Sequence, residues 1–253
     1  MDKKVHNLQK SQLKRYKKEF DYSYTLGPFP TFELMGSREN EVICIYIDPD
    51  FTDREEMERR CKEKGIMFEI DRKVLSKISD KENCYAAGVF KKYSCTLDCN
   101  SPHVVLVNPS DMGNLGTIIR TLVGLGVYDL AIIEPAADIF SPKTVRSSMG
   151  SLFKMRFERF KGFYDYLEKY GDRDIFPFML DGKHVLSLAN CPRSEKYSLV
   201  FGNEARGLDS SFAELGTSIF IPQSSDVDSL NLAISVGIGT FVFTSCNRLR
   251  DII

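Results

Sequence analysis

Two glycines three residues apart, Gly113 and Gly116, follow an apolar run in the stretch HVVLVNPSDMGNLGTIIR, residues 103 to 120. Asn114 lies between them, and Arg120 follows in a segment with a helical pattern. A strand, a glycine turn and a helix begin many nucleotide-binding sites, because the free N–H groups at a helix start attract phosphate. An amide and a guanidinium at such a turn could therefore serve a dinucleotide, a phosphate or another ligand.

The glycine spacing argues against two common nucleotide motifs. A Rossmann fingerprint needs G-x-G-x-x-G inside the turn, whereas Gly124 and Gly126 lie too far along the helix. Only Glu134 could act as the ribose-binding acid after the next strand. A phosphate-binding P-loop needs G-K-[ST], which this turn lacks. The glycine turn alone identifies no cofactor.

Two further loops at predicted strand ends carry unusual residues. GNEARGL, residues 202 to 208, follows the apolar run YSLVF, and PQSSDVDSLN, residues 222 to 231, follows SIFI. In open α/β sheets, ligands bind outside the carboxyl ends of the strands. The three loops together therefore mark a candidate ligand site.

The sequence from residue 103 onward predicts an α/β fold with a parallel sheet covered by helices on both faces. Short, wholly apolar runs alternate with helical patterns, which is typical of such sheets. The predicted strands lie at 103–108, 130–135, 175–180, 197–204 and 218–223, and the predicted helices at 114–125, from Ser141, at 163–171 and from Ser229.

The preceding residues predict a smaller α/β domain. Strands are expected at 42–48, 67–70 and 85–93, and helices at 54–65 and 72–80. The polar stretch 96–102 ends in proline, which is typical of a linker between domains. We therefore predict an N-terminal domain over residues 1–98 and a second domain over residues 99–253.

Composition is that of an ordinary globular protein, with 43% hydrophobic residues, 27% charged residues and a net charge of −1. The first twenty residues contain no apolar segment, so we expect no secretory signal and a cytoplasmic protein whose seven cysteines are reduced. The apolar run 230–246 is short for a membrane span and contains Ser235 and Thr240, which favours a buried helix and no membrane partner.

A metal site is the alternative for Cys95, Cys99 and His103, which lie four residues apart. Pro102 and the polar context argue against one helix holding all three, and no fourth ligand lies nearby. We expect no metal.

Basic residues crowd the N-terminus, where a helix is expected. They are Lys3, Lys4, Lys10, Lys14, Arg15, Lys17 and Lys18. A charge run of this kind is either a solvated helix face or a surface that binds nucleic acid.

Taken together, the three loops resemble the three signature motifs of the SpoU/TrmH family of RNA 2′-O-ribose methyltransferases, within the SPOUT superfamily. The first motif is matched by Asn114, Gly116 and Arg120, the second by Gly202, Glu204, Gly207 and Leu208, and the third by Ile221, Pro222, Ser229, Leu230 and Asn231. Residues 145–154 also resemble a family segment, and the likeness covers residues 103 to 248.

One departure falls in the third loop. The family usually has methionine after the proline and glycine two residues later, where this chain has Gln223 and Ser225. Because serine enters a glycine turn less easily, the departure affects the expected loop shape and cofactor contacts.

The resemblance implies S-adenosylmethionine as cofactor. Gly202, Ile221 and Leu230 match cofactor-contacting positions, since a glycine admits the backbone and two apolar side chains enclose a flat base. For Ile221 and Leu230 the alternative is core packing. Pro222, Ser229 and Asn231 complete the predicted cofactor loop. Ser229 is expected to cap the last helix, and Asn231 to contact the cofactor or tie the loops together.

The resemblance also implies a catalytic role for Arg120. Arginine is hard to deprotonate, so we expect Arg120 to bind the phosphate beside the ribose and to stabilise the developing alkoxide. Asn114 would hold the ribose or fix Arg120, with a helix cap as the alternative. Glu204 would orient the substrate or Arg120, with an ion pair to Arg206 or Arg120 as the alternative.

The family likeness further implies a C-terminal trefoil knot, a homodimer and, for residues 1–98, a ribosomal-protein-like domain that binds RNA. Ribosomal RNA is the expected partner ahead of transfer RNA. The alternatives are an inactive RNA-binding relative, methylation of a base, and a nucleotide-dependent oxidoreductase, which the glycine spacing disfavours.

Overall fold

A computed structural model describes residues 10–80 and 83–248. The chain divides into two compact units. The first contains residues up to Tyr93 together with Asp138–Lys154, and the second contains Ser94–Ala137 together with the chain from Met155 onward. The predicted division is a single cut after residue 98, so the structure differs in grouping 138–154 with the N-terminal residues.

The first unit is built on a four-stranded sheet in the order β1-β4-β2-β3. Its strands are β1 (Tyr22–Leu26), β2 (Val42–Ile47), β3 (Phe68–Ile70) and β4 (Ala86–Lys91), and its N-terminal helices are α1 (Pro28–Ser37), α2 (Arg54–Lys64) and α3 (Arg72–Ile78). The predicted strands and helices of this region are confirmed. The sequence analysis missed β1 and α1.

Segment 138–154 packs against α1 and the sheet within this unit, and it carries the short helix α5 (Pro142–Ser147). Gly150 has a positive φ of 77°, and a Cβ there would lie 2.5 Å from the Cβ of Glu33. Arg38 donates from Nε to the carbonyl of Phe153 at 3.0 Å. These contacts explain why 138–154 groups with residues distant in sequence.

The basic N-terminal helix is not found over the described residues. Only Lys10–Gln12 form a 3-10 turn, and the chain then runs irregularly to β1. Leu13 is buried, and Tyr16 and Phe20 pack against the same core, so apolar anchors hold this stretch along the sheet. The side chains of Lys14, Arg15, Lys17 and Lys18 are exposed, and Lys3 and Lys4 lie outside the described residues.

The second unit contains a wholly parallel five-stranded sheet in the order β7-β6-β5-β10-β8, which confirms the predicted α/β fold with a parallel sheet. Its strands are β5 (His103–Val107), β6 (Asp129–Ile133), β7 (Arg156–Phe160), β8 (Asp174–Pro177) and β10 (Tyr197–Phe201), and its helices are α4 (Met112–Gly124), α6 (Phe163–Tyr170) and α7 (Leu232–Arg248).

The predicted strand at 218–223 is much shorter than expected. It is β11 (Ile219–Phe220), which pairs with β9 (His184–Val185) in a separate two-stranded sheet. The last helix begins at Leu232, three residues later than predicted from Ser229. The chain between β11 and α7 is therefore a loop of eleven residues, 221–231.

His103 is buried in a polar network at the start of β5. Its Nε2 donates to the carbonyl of Asp98 at 2.8 Å, so its Nδ1 accepts from the hydroxyl of Tyr166 at 2.9 Å. Both ring nitrogens are thus engaged, and the described residues include no group of three or more His, Cys, Asp or Glu side chains that could hold a metal. Burial lowers the pKa of His103 from 6.5 to about 4.

This pKa predicts an acid-sensitive fold. Between pH 6.5 and pH 4 the unfolded chain binds a proton that the folded chain excludes, so the free energy of unfolding falls as the pH falls through that window. The shift corresponds to a loss of about 3 kcal/mol. Urea unfolding at several pH values measures this loss. In a His103→Gln variant the free energy of unfolding should change less with pH. Equal slopes in the two proteins would contradict this role of His103.

Candidate active site

The first loop joins β5 to α4 at the carboxyl edge of the sheet. Asp111 caps α4, because its Oδ1 accepts from the backbone N–H of Asn114 at 2.7 Å. The alternative that Asn114 caps the helix is therefore wrong: Asn114 lies inside the first turn, and its side-chain amide makes other contacts. A polar residue just before a helical run is a sequence signal that could have identified Asp111.

The second loop places the Glu204 carboxylate against the first loop. β10 lies beside β5 and runs parallel to it, so the loops that follow them meet at one edge. Glu204 Oε2 accepts from the backbone N–H and the hydroxyl of Ser110 at 3.0 and 2.8 Å. Its Oε1 accepts from the backbone N–H of Asp111 at 3.1 Å and from Asn114 Nδ2 at 3.3 Å.

These donors set the charge of Glu204. Partial burial on its own would raise the pKa of the carboxyl group, but the hydrogen bonds from Ser110 and Asp111 outweigh burial and lower the pKa. Glu204 is therefore an ionised acceptor at neutral pH. No ion pair joins it to Arg120 or Arg206 within residues 10–80 and 83–248, so the ion-pair alternative is not how the structure uses this side chain.

The third loop joins the same network through Asn231. Its Nδ2 donates to Asn114 Oδ1 at 3.2 Å, and its own Oδ1 accepts from the backbone N–H of Ala233 at 2.8 Å. Asn231 therefore caps α7, and the expectation that Ser229 caps this helix is wrong. A continuous chain of hydrogen bonds runs from Glu204 through Asn114 to Asn231 and connects all three loops.

Arg120 lies six residues beyond Asn114 on α4 and is exposed, about 9 Å further along the helix axis. The opposite face of α4 is buried through Leu115, Ile118 and Ile119. In the part of the chain that the structure describes, no carboxylate or hydrogen-bond acceptor contacts the Arg120 guanidinium. The structure therefore does not bring Arg120 into contact with Asn114 or Glu204, and leaves its five donors available.

Glycine is required at position 202 by close backbone packing. A Cβ at Gly202 would lie 2.1 Å from the carbonyl carbon of Gly207 and 2.4 Å from the nitrogen of Leu208. Gly207 itself has a φ of 68°, and its N–H donates to the carbonyl of Asn203 at 2.9 Å. The two glycines thus close the second loop into a tight turn.

A cavity of about 280 Å³ lies beside this turn and is lined by Gly202, Glu204, Ile221, Ser229 and Leu230. Ile221 and Leu230 are only half-buried, so their side chains face the cavity and are not part of the core. Pro222 and Asn231 do not line it.

Sequence reasoning missed the aromatic wall of this cavity. Phe178 and Phe201 both line it, and their rings stack with centroids 4.2 Å apart. A Cβ at Gly239 of α7 would lie 2.6 Å from the ring of Phe178, so the glycine admits this pair beneath the helix. The apolar character of the two strand ends is the only signal in the sequence.

The unusual residues of the third loop do not strain its backbone. Among the described residues, the only non-glycine residues with positive φ are Asn108 and Met149, so Ser225 needs no glycine conformation. Gln223 lines the cavity, and its Nε2 donates to the carbonyl of Asp228 at 3.4 Å. The loop is therefore closed by a side chain at the point where the family usually has methionine.

Comparison with known proteins agrees with this arrangement of loops. The model of the SpoU rRNA Methylase family matches residues 101–241, which is more than half of the chain. The chain belongs to this family. No helix within the described residues has the length and apolarity that crossing a membrane requires.

The curated relatives match about half of the chain. An uncharacterized tRNA/rRNA methyltransferase of Synechocystis is 33% identical over 136 residues, covering 53% of this chain and 50% of the relative. A 23S rRNA (guanosine(2553)-2′-O)-methyltransferase of Bacillus subtilis is 31% identical over 131 residues, covering 51% and 52%. The match therefore spans about half the length of these curated relatives.

A solved structure resembles the SpoU chain over more of its length. The AdoMet-bound rRNA methyltransferase of Sinorhizobium meliloti superposes with a TM-score of 0.74 at 26% identity, covering 94% of this chain and 91% of that one.

Proposed function

We propose that this protein is an S-adenosylmethionine-dependent methyltransferase that acts on a ribose 2′-hydroxyl of structured RNA, ribosomal RNA in preference to transfer RNA. The observation that carries the proposal is the hydrogen-bond chain from Glu204 through Asn114 to Asn231. It joins the three motif loops beside the cavity, as a site built from all three loops requires. The naming of two relatives as rRNA methyltransferases supports the choice of RNA.

The residues around the cavity fit S-adenosylmethionine. Gly202 lets the second loop close tightly on its own backbone and so shapes the cavity wall, and Ile221 and Leu230 offer apolar surfaces for a flat base. Ser229 adds a hydroxyl at the cavity wall, and we assign Pro222 and Asn231 to shaping the loop around it. When bound, this cofactor supplies an electrophilic methyl group on a sulfonium centre.

We assign the remaining catalytic roles to Arg120 and Asn114, which both lie on α4. Arg120 keeps its guanidinium unpaired in the described structure and binds the phosphate beside the target ribose. The same positive charge stabilises the 2′-oxygen as negative charge develops on it. Asn114 is fixed by Glu204 and Asn231, so it holds the first loop in register with the other two.

The N-terminal unit supplies RNA recognition in this proposal. It has a sheet with a hydrophobic core on each face, which suits the ribosomal-protein-like domain that the resemblance implies. The exposed Lys14, Lys17 and Lys18 add positive charge that phosphates attract. The trefoil knot stays what the family resemblance implies for the chain that leads into α7. Seven free thiols suit a reducing cytoplasm.

An apolar stripe on α7 supports the homodimer. Ile234, Ile238 and Phe241 lie on one helix face and are 54%, 36% and 51% exposed. A twofold interface can bury such a stripe against its own copy.

We expect a Phe241→Glu variant to be monomeric at concentrations where the unmodified protein is dimeric, because a buried carboxylate would face an apolar partner. Sedimentation velocity measures this. Tyr164→Glu is the matched control, because Tyr164 is an exposed aromatic on α6, and it should leave the dimer intact. If the unmodified protein were still monomeric at about 100 micromolar, a concentration well above a micromolar dissociation constant, the homodimer would be refuted.

Calorimetric titration tests the proposed cofactor directly. We expect saturable binding of S-adenosylmethionine and no binding of NADH. Binding of NADH alone would favour the oxidoreductase alternative. Absence of both, with RNA binding retained, would favour an inactive RNA-binding relative.

A further inference from the structure

A second, larger recess lies on the other side of the second motif loop. This groove has a volume of about 960 Å³ and lies at the carboxyl ends of β5, β6 and β10. Its lining includes Asn108, Pro135, Asn203, Arg206, Asp209 and Phe212. All of these residues belong to the second unit. Gly207 of the second motif also lines the groove, and no other lining residue is matched to a family motif.

The walls of the groove are fixed by side-chain amides. Asn203 Nδ2 donates to the carbonyl of Asn108 at 2.7 Å, and its Oδ1 accepts from the backbone N–H groups of Ala205 and Arg206 at 2.9 and 3.3 Å. Asn108 in turn donates to the carbonyl of Pro135 at 3.4 Å. The backbone of Arg206 is therefore held in place although its side chain is exposed.

Arg206 is the residue that links the groove to the cofactor cavity. It lines both recesses, and no other described lysine or arginine lines either one. Glu204 does not neutralise it, because the carboxylate oxygens of Glu204 are occupied by Ser110, Asp111 and Asn114. In the described chain, no ion pair or side-chain hydrogen bond holds the Arg206 guanidinium.

The other side chains of the groove suit a nucleotide. Phe212 is half-buried, packs against Phe163 with ring centroids 4.8 Å apart, and gives the groove an apolar wall. Asp209 is the one acidic side chain among the described lining residues, and its Oδ1 accepts from the backbone N–H of Ser211 at 3.0 Å. A single cation at the boundary, with an aromatic wall beyond it, matches a sugar–phosphate strand and its bases.

We propose that this groove binds the RNA strand next to the methylated ribose and that Arg206 holds one of its phosphates. The inference rests on the proposed function, and it adds a positioning residue outside the residues assigned to cofactor and ribose. A guanidinium at the boundary of the two recesses would set how far the strand extends past the cofactor. Loss of this one contact removes one phosphate from the electrostatic footprint of the RNA.

The salt dependence of RNA binding tests the proposal. A fluorescein-labelled 20-nucleotide oligouridylate is titrated with the full chain between about 50 and 200 mM salt, where each phosphate contact with a single strand contributes about 0.7 to the slope of log affinity against log salt. We expect Arg206→Gln to lower the slope by about 0.7 and Arg206→Lys to retain it. Arg193→Gln is the matched control, because Arg193 is exposed on the same unit before the amino end of β10.

Three outcomes overturn the proposal. Equal slopes for Arg206→Gln and Arg193→Gln would exclude a phosphate contact. Loss of S-adenosylmethionine affinity in Arg206→Gln with unchanged RNA binding would assign Arg206 to the cofactor cavity. Failure of the unmodified chain to bind the oligouridylate would show that the groove does not bind an RNA strand. Failure to bind S-adenosylmethionine, with the slope changed as expected, would count against the proposed function and leave the groove as an RNA site.

Discussion

The Arg120→Ala variant should bind S-adenosylmethionine as tightly as the unmodified protein and lose methyl transfer by a factor of about 10² to 10³. Arg120 lies outside the set of residues that line the cofactor cavity, so cofactor affinity does not depend on it. Its guanidinium is exposed and unpaired in the described structure, and it is the charge that we assign to the target phosphate and the developing alkoxide. Losing a preorganised donor of this kind raises the barrier of the chemical step.

Single-turnover kinetics and calorimetry on the same samples separate the two effects. Arg193→Gln provides the control for a lost surface charge, because Arg193 is also exposed on the second unit, and it should transfer methyl groups at the unmodified rate. If Arg120→Ala lost cofactor affinity and turnover to the same extent, Arg120 would be a structural residue of the site.

The Gly202→Ala variant should lose most cofactor binding and part of its stability. A Cβ at this position would lie 2.1 Å from the backbone of Gly207, where no flexible side chain can move aside. The second loop must therefore shift, which displaces both the cavity wall and Glu204. We expect at least about a tenfold weaker affinity for S-adenosylmethionine and a loss of about 1–3 kcal/mol in the free energy of unfolding.

Gly124→Ala is the matched control for this substitution. A Cβ at Gly124 would meet no atom within 4 Å, and the residue lies at the end of α4 without a positive φ. Alanine favours a helix over glycine by up to about 1 kcal/mol, so this variant should be as stable as the unmodified protein or slightly more so. Normal cofactor affinity in Gly202→Ala would show that the second loop does not shape the cavity.

The parallel sheet and the three motif loops could be predicted because both are local features of the sequence. Wholly apolar runs such as YSLVF indicate buried strands, and a glycine between a strand and a polar loop marks close backbone approach. A glycine at the end of a helical pattern is another local signal. Gly65 was predicted to end α2, and it does so with a φ of 64°.

Other features depend on contacts between residues distant in sequence, which local patterns do not report. The N-terminal stretch has the charge of a solvated helix, yet Leu13 anchors it irregularly to a core formed with α3. Segment 138–154 begins only a few residues after β6 but packs on α1 through Gly150 and Glu33. β1 was missed although YSYTL alternates apolar and polar residues, which is typical of a strand, because the two prolines that follow it indicate a loop.

In the candidate site, too, the sequence identified residues but not the contacts between residues distant in sequence. The resemblance of the three loops to the family motifs identified Asn114, Glu204 and Asn231, but not the way in which they connect. Their hydrogen bonds join positions 90 and 117 residues apart, and the role of Asn231 as helix cap follows from where α7 begins. The contribution of Ser110 also became visible only when Glu204 was seen to accept from it.

Methyl transfer to unmodified RNA tests the central claim most directly. The full chain is incubated with methyl-labelled S-adenosylmethionine and ribosomal RNA transcribed in vitro, and the RNA is then hydrolysed in alkali. A 2′-O-methylated ribose has no free hydroxyl to attack its phosphodiester, so the label should appear in alkali-resistant dinucleotides. Label in mononucleotides would mean methylation of a base, and no label from a protein that binds both ligands would mean an inactive relative. Either result would contradict the proposed reaction.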